Sequence, residues 1–307
     1  MRLKSSLVKK ILIGAVLLCL VLGLSAAPLL AEKRVIKIGW VAWSETEPVA
    51  YLLKNVFEDM GYEVELLLSD IGVVYTGVAG GDLDIGLEAW LPLTHEAYWD
   101  KFSTEIILLP MYEGARLGWA IPDYIPKDVL SSVEDMGKAE VKEKLKNQVI
   151  GIDPGAGLTQ HSELMIKEGY PELKGYTLVE GSGAMMLGAL KRAIARNEWI
   201  VTTNWAPDIS WASVSKAAGG PGLRWLDEPK KILGGEEFVA VIVGRKFYEN
   251  LPSDITGFLS RMWFDMDEIL AMMAYVIEGL TTEEAAQKYI EDNPLKINYW
   301  KTGEISS

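Results

Sequence analysis

Residues 87–99 read LEAWLPLTHEAYW and hold two tryptophans, a tyrosine and one of the only two histidines in the chain. The chain has eleven tryptophans in 307 residues. Three share a setting: Trp43, Trp90 and Trp205 lie at or just past the ends of predicted strands, in VAWSE, LEAWLP and NWAP. Ligands of doubly wound sheets bind beyond the carboxyl ends of strands. Singly, each indole reads as a cap on a core; the three together favour a shared cleft. Indole faces are negative, and a desolvated cation over one gains ~2 kcal/mol or more. A quaternary ammonium suits such a cage, whereas an ordinary ammonium would leave its N–H donors without acceptors. Trp199, Trp225, Trp263 and Trp300 read as packing residues.

An acidic end of the same ligand has its own candidates. GIDPGAGLTQHSEL runs from a strand through a glycine-rich turn into a helix. The backbone N–H groups of Gly157 and Leu158 would face outward at the helix start, where a carboxylate is favoured. The same string also reads as an ordinary strand-to-helix turn. His95, five residues after Trp90, adds a hydrogen bond to that carboxylate, or else is a solvated residue at a helix start. His161 reads as a surface or half-buried helix residue.

Catalysis has little support. G-x-S-x-G, H-E-x-x-H, a P-loop and a strand-following G-x-G-x-x-G are all missing from the sequence. Two distant histidines make no metal site, and no cofactor is implied. A periplasmic choline-ester hydrolase would need Ser44 or Thr94 as nucleophile and His95 as base, with no triad legible.

These residues must be carried by alternating strands and helices. RVIKIGWVAW, EVELLLSD and LDIGLEAW read as strands, with helices over TEPVAYLLKNVFEDMGY and VVYTGVAGG. The order restarts at 148 with QVIGIDP, YTLVEGS and WIVTTNW as strands and LTQHSELMIKEGY and AMMLGALKRAIARN as helices. EFVAVIVGRKF is a further strand, and 252–300 is helical and folds back on the first half. The pattern predicts an α/β fold of two similar lobes, each a doubly wound sheet with a mostly parallel core, flanked by helices. Lobe I takes 32–120 and 238–307, lobe II takes 121–237, and the loop 114–128 and the stretch 226–237 cross between them.

The first 31 residues have the layout of a secretory signal peptide: Arg2, Lys4, Lys9 and Lys10, an apolar run over 11–24, then small residues up to Ala31. An uncleaved anchor is the alternative. The sole cysteine, Cys19, lies in that run, so the mature chain has neither disulfide nor thiolate site. Its removal takes four basic side chains and no acid, leaving 43 acids against 26 bases. A net charge of −17 argues against nucleic-acid binding and suits a soluble exported protein.

VAWSE, LEAWLPLTHEAYW, GIDPGAGL and NWAP, in this order, resemble the glycine betaine/proline betaine/choline-binding proteins of ABC transporters. The similarity runs over nearly all of 35–301 and includes TEEAAQKYIEDNP. W-L-P-x-T-H is its most specific piece. The resemblance implies a two-lobed Venus-flytrap binding protein, monomeric and periplasmic or otherwise extracytoplasmic, that passes its ligand to a membrane permease. It implies a trimethylammonium cage of Trp43, Trp90 and Trp205, with Gly157, Leu158 and His95 on the carboxylate. Choline-preferring members use an acid just after the first tryptophan, where this chain has Glu45. The family's W-x-P-H-W reads here Trp205-Ala206-Pro207-Asp208-Ile209, so Asp208 replaces the histidine. Both acids leave choline, carnitine, proline betaine or sulfonium ligands open beside glycine betaine, and sensing open beside transport.

Overall fold

The computed structural model describes residues 35–305; the predicted signal peptide and Cys19 lie outside the described residues. The strands are β1 (Val35–Trp40), β2 (Glu63–Leu68), β3 (Ile85–Leu91), β4 (Ile106–Pro122), β5 (Gln148–Ile150), β6 (Thr177–Val179), β7 (Thr202–Ala206), β8 (Leu223–Trp225) and β9 (Glu236–Gly244). They form one mixed sheet in the order β2-β1-β3-β9-β4-β7-β5-β6, and β8 pairs with the last residues of β4.

The two flanks, β2-β1-β3 and β7-β5-β6, are parallel, as alternating strands and helices require. The centre departs from the expected parallel core. There β3–β9, β9–β4 and β4–β7 are all antiparallel. The reason is connectivity: β4 carries the chain out of its first half and β9 brings it back, so the two lie side by side running oppositely. The predicted loop crossing at 114–128 is also corrected, because β4 continues through 106–122 as a strand.

Helix Thr46–Asp59 buries Val49, Leu52, Leu53, Val56 and Phe57, the 3–4 spacing of one face. Gly61, at φ +96°, turns the chain toward β2. The C-terminal helices cover this helix. Phe57 meets Phe258 edge-on at 5.3 Å, and Phe258 and Phe264 both pack against Trp300. The Lys54–Glu283 and Lys301–Asp59 pairs, each with one largely exposed partner, add little beside this burial. β3 is buried at all seven residues, IGLEAWL, including an acid, Glu88.

Candidate ligand-binding site

Trp90 and Trp205 are the penultimate residues of β3 and β7, while Trp43 sits in the loop that leaves β1. The central strand pair links them: Trp90 pairs with Val239 of β9, Trp205 pairs with Leu117 of β4, and β9 pairs with β4. Both Trp90-Leu91-Pro92 and Trp205-Ala206-Pro207 contain a cis X-Pro bond. The three indoles are 7%, 2% and 3% exposed for Trp43, Trp90 and Trp205, and all three line one cavity. Glu45, Thr94, Ala156, Gly157 and Leu158 line it too, with Leu117 and Ile152.

Each indole N–H is held by a carboxylate. Trp43 donates to Asp153 at 3.1 Å, Trp90 to Glu88 at 2.8 Å and Trp205 to Glu45 at 2.9 Å. Glu88 also accepts from the Tyr112 hydroxyl at 3.3 Å. Burial pushes the Glu88 carboxyl up to about 7, against the pull of Trp90 and Tyr112. Burial, then repulsion from Glu88, raises Glu45 well above the usual carboxylate range. Burial likewise raises Asp153 and Asp208.

Gly157 begins the helix Gly157–Leu164, and its N-cap is Ala156, which has no side chain to cap with. The first N–H groups of a helix have no partner within it, so those of Gly157 and Leu158 are left for the cavity. The fit is close: a Cβ on Gly157 would lie 2.1 Å from the Thr94 carbonyl oxygen. Glu237 fixes that turn by accepting the N–H groups of Leu93 and Thr94 and the Thr94 hydroxyl.

His95 is fully buried behind the wall, its ring centroid 6.0 Å from that of Trp43. Its Nδ1 accepts the Trp90 backbone N–H at 3.0 Å. Burial, helped by nearby His161, holds the imidazole down to about 3. The ring is therefore neutral, and its one proton sits on Nε2, which has no partner among the described residues. Asp208 also lies outside the cavity wall. It caps the Ser210 N–H and accepts from Ser44 Oγ at 2.7 Å, tying the 44–45 loop to the segment after β7. His161 is half-buried, its Nε2 3.4 Å from the Leu93 carbonyl.

Sequence reasoning missed Asp153, Tyr112 and Glu88 as partners of the cage. The available signal was Glu88, an acid inside an otherwise apolar strand and two residues before a tryptophan.

The substrate-binding domain of ABC-type glycine betaine transport systems matches residues 34–292, and the chain belongs to that family. Its fold is that of the two-lobed substrate-binding proteins. The chain is similar to lactococcal OpuAC in its closed, glycine betaine-complexed conformation (TM-score 0.78, 28% identity, 88% of this chain and 100% of that one). A glycine betaine/L-proline-binding protein, ProX of Borrelia burgdorferi, gives a TM-score of 0.75 at 30% identity, covering 87% of this chain and 97% of that one. The glycine betaine/carnitine transport binding protein GbuC of Listeria monocytogenes serotype 1/2a (strain 10403S) is 29% identical over 166 residues, 54% of this chain. The match spans about half of the Listeria protein's length (53%).

Proposed function

We propose that this chain captures glycine betaine outside the cytoplasmic membrane and delivers it to an ABC permease. The carrying observation is one cavity walled by three buried tryptophans and by a helix start with an uncapped N-terminus. The trimethylammonium head sits among Trp43, Trp90 and Trp205. The carboxylate accepts from the Gly157 and Leu158 backbone, and His95 Nε2–H, buried behind the wall with no partner among the described residues, becomes a third donor once the seated ligand displaces that wall. Lobe I, 32–120 with 238–307, supplies Trp43, Trp90 and His95, and lobe II, 121–237, supplies the rest. Ligand bridging both favours the closed form by binding it better, and a monomer released from its signal peptide suffices for that task.

Glu45 favours a second reading. It lines the cavity with one carboxyl oxygen, Oε1, unpartnered, which suits the hydroxyl of choline or carnitine. Calorimetric titration with glycine betaine and with choline separates the two. Tight betaine with weak choline supports the carboxylate site, and the reverse order makes Glu45 the deciding residue. Trp205→Ala should weaken betaine binding roughly 30-fold, one ring's share of a desolvated cage. An unchanged affinity in that variant would remove the cage from the proposal.

A further inference from the structure

Glu45 and Glu88 are both fully buried, and each uses one oxygen to hold a cage indole. The other oxygens, Glu45 Oε1 and Glu88 Oε1, have no hydrogen-bond partner among the described residues. Among the described residues no lysine or arginine pairs with either carboxyl. Glu88 holds φ +72° at an irregularity of β3 between Gly86 and Ala89, a conformation that costs energy away from glycine.

The groups around Glu88 are few. Its own strand presents the Trp90 indole, β4 the Tyr112 hydroxyl, the helix Thr46–Asp59 the hydroxyl of Thr46, and the loop before that helix the Glu45 carboxyl. β9 faces this stretch with Ala240 and Ile242 as register partners. His95, in the turn after β3, is neutral. Asp208 adds a third acid on the far side of Glu45, joined to it through Ser44. Two neighbouring carboxyls without a cation cannot both ionise in a dry site. A cation against Trp90 and Trp205 would supply the missing charge.

We propose that one of the two carboxyls, Glu45 or Glu88, keeps its proton in the empty cage and releases it when the cationic head enters, making Glu88 a specificity-determining residue that lies outside the cavity wall. The inference rests on the cation-cage reading above. In the step the carboxyl O–H bond breaks, the proton goes to the buffer, and the carboxylate left behind faces the ligand's positive charge; nothing is oxidised or reduced. Affinity then rises with pH while Glu88 loses its proton in the empty protein, and levels off above that range. A ligand of the same shape with carbon in place of nitrogen, 3,3-dimethylbutyrate, displaces no proton.

The experiment is calorimetry of the wild-type protein with glycine betaine at pH 7 in phosphate and in Tris, whose ionisation heats differ. The expected result is a heat difference equal to about half a proton or more per ligand, with affinity rising roughly tenfold from pH 6 to pH 8. Glu88→Gln keeps an acceptor for Trp90 and should bind more weakly, with a flat pH profile and equal heats in both buffers. Equal heats and a flat profile in the wild type would overturn the proposal, as would full proton release surviving in Glu88→Gln. Should that variant not fold, the wild-type buffer pair decides alone. Failure to bind betaine in either buffer is a different outcome: it removes the cation-cage reading, and this inference with it.

Discussion

The two walls of the cavity are built on opposite principles. The wall carried by β1, β3 and their following loops holds two of the three indoles and the buried acid Glu45, with Glu88 just behind it on a backbone at φ +72°. The wall opposite the Thr94 turn is the bare start of Gly157–Leu164, an alanine cap followed by a glycine, with only main-chain donors on offer. One wall concentrates acidic side chains and π density, and the other presents the positive end of a helix. A zwitterion with its charges at opposite ends matches this division better than a simple cation does. Trp205 contributes an indole from the second half of the chain, but Glu45, from the first half, holds its N–H. The acidic character of the cage thus comes largely from one side.

The sharpest way to break this contrast is Gly157→Ala. The added Cβ meets the Thr94 carbonyl at 2.1 Å, so the walls must separate. Overpacking of this order costs about 1–3 kcal/mol, and betaine affinity should fall by up to ~100-fold in calorimetry; a fall under threefold would mean that the walls need not meet. His95→Asn is next. It keeps an acceptor for the Trp90 N–H but deletes the Nε2 donor. A lost hydrogen bond to a charged group is worth about 1.5–3 kcal/mol, so betaine should weaken at least ~10-fold and choline far less. Equal losses for both ligands would show that His95 only supports Trp90.

The smallest effect is on stability. Glu88 is raised from 4.5 to about 7 in the fold. Its contribution is therefore fully present below pH 4.5 and lost as pH rises through about 7. His95 is lowered from 6.5 to about 3, so its contribution is present above pH 6.5 and lost as pH falls toward 3. The melting temperature of the ligand-free protein should decline at both ends, by on the order of a few degrees for each kcal/mol lost. Saturating betaine should blunt the alkaline decline. Thermal scans from pH 4 to pH 9 check this, and a melting temperature still climbing between pH 6 and pH 8 without ligand would contradict the buried-acid account.

Much of this was legible in the sequence because apolar periodicity records burial. The helix Thr46–Asp59 and the strands flanking it follow their patterns closely, and the three strand-end tryptophans do reach one cavity. The central strand pair was not legible. Gly114, Gly118 and Pro122 look like chain breakers, which is why 114–128 reads as a loop. In the fold Gly114, at φ +87°, absorbs an irregularity between Glu113 and Ala115. Gly118 serves close approach instead: a Cβ there would fall 2.4 Å from the Trp225 ring. Pro122 is simply the last residue of the strand. The acids behind the cage were hidden for a different reason. A sequence shows that Glu88 neighbours Trp90, but not that Glu45 reaches across the cleft to Trp205, 160 residues away.

The seventeen-residue β4 has a consequence for modularity. Its early residues complete the ladder of β9, and its late ones complete those of β7 and β8. Neither half of the molecule therefore owns a finished sheet. Cutting the chain near 120 would expose a raw strand edge on each fragment, the kind of edge that invites aggregation. The halves are not exchangeable cassettes: recombination that swapped one of them would have to carry a matching strand with it.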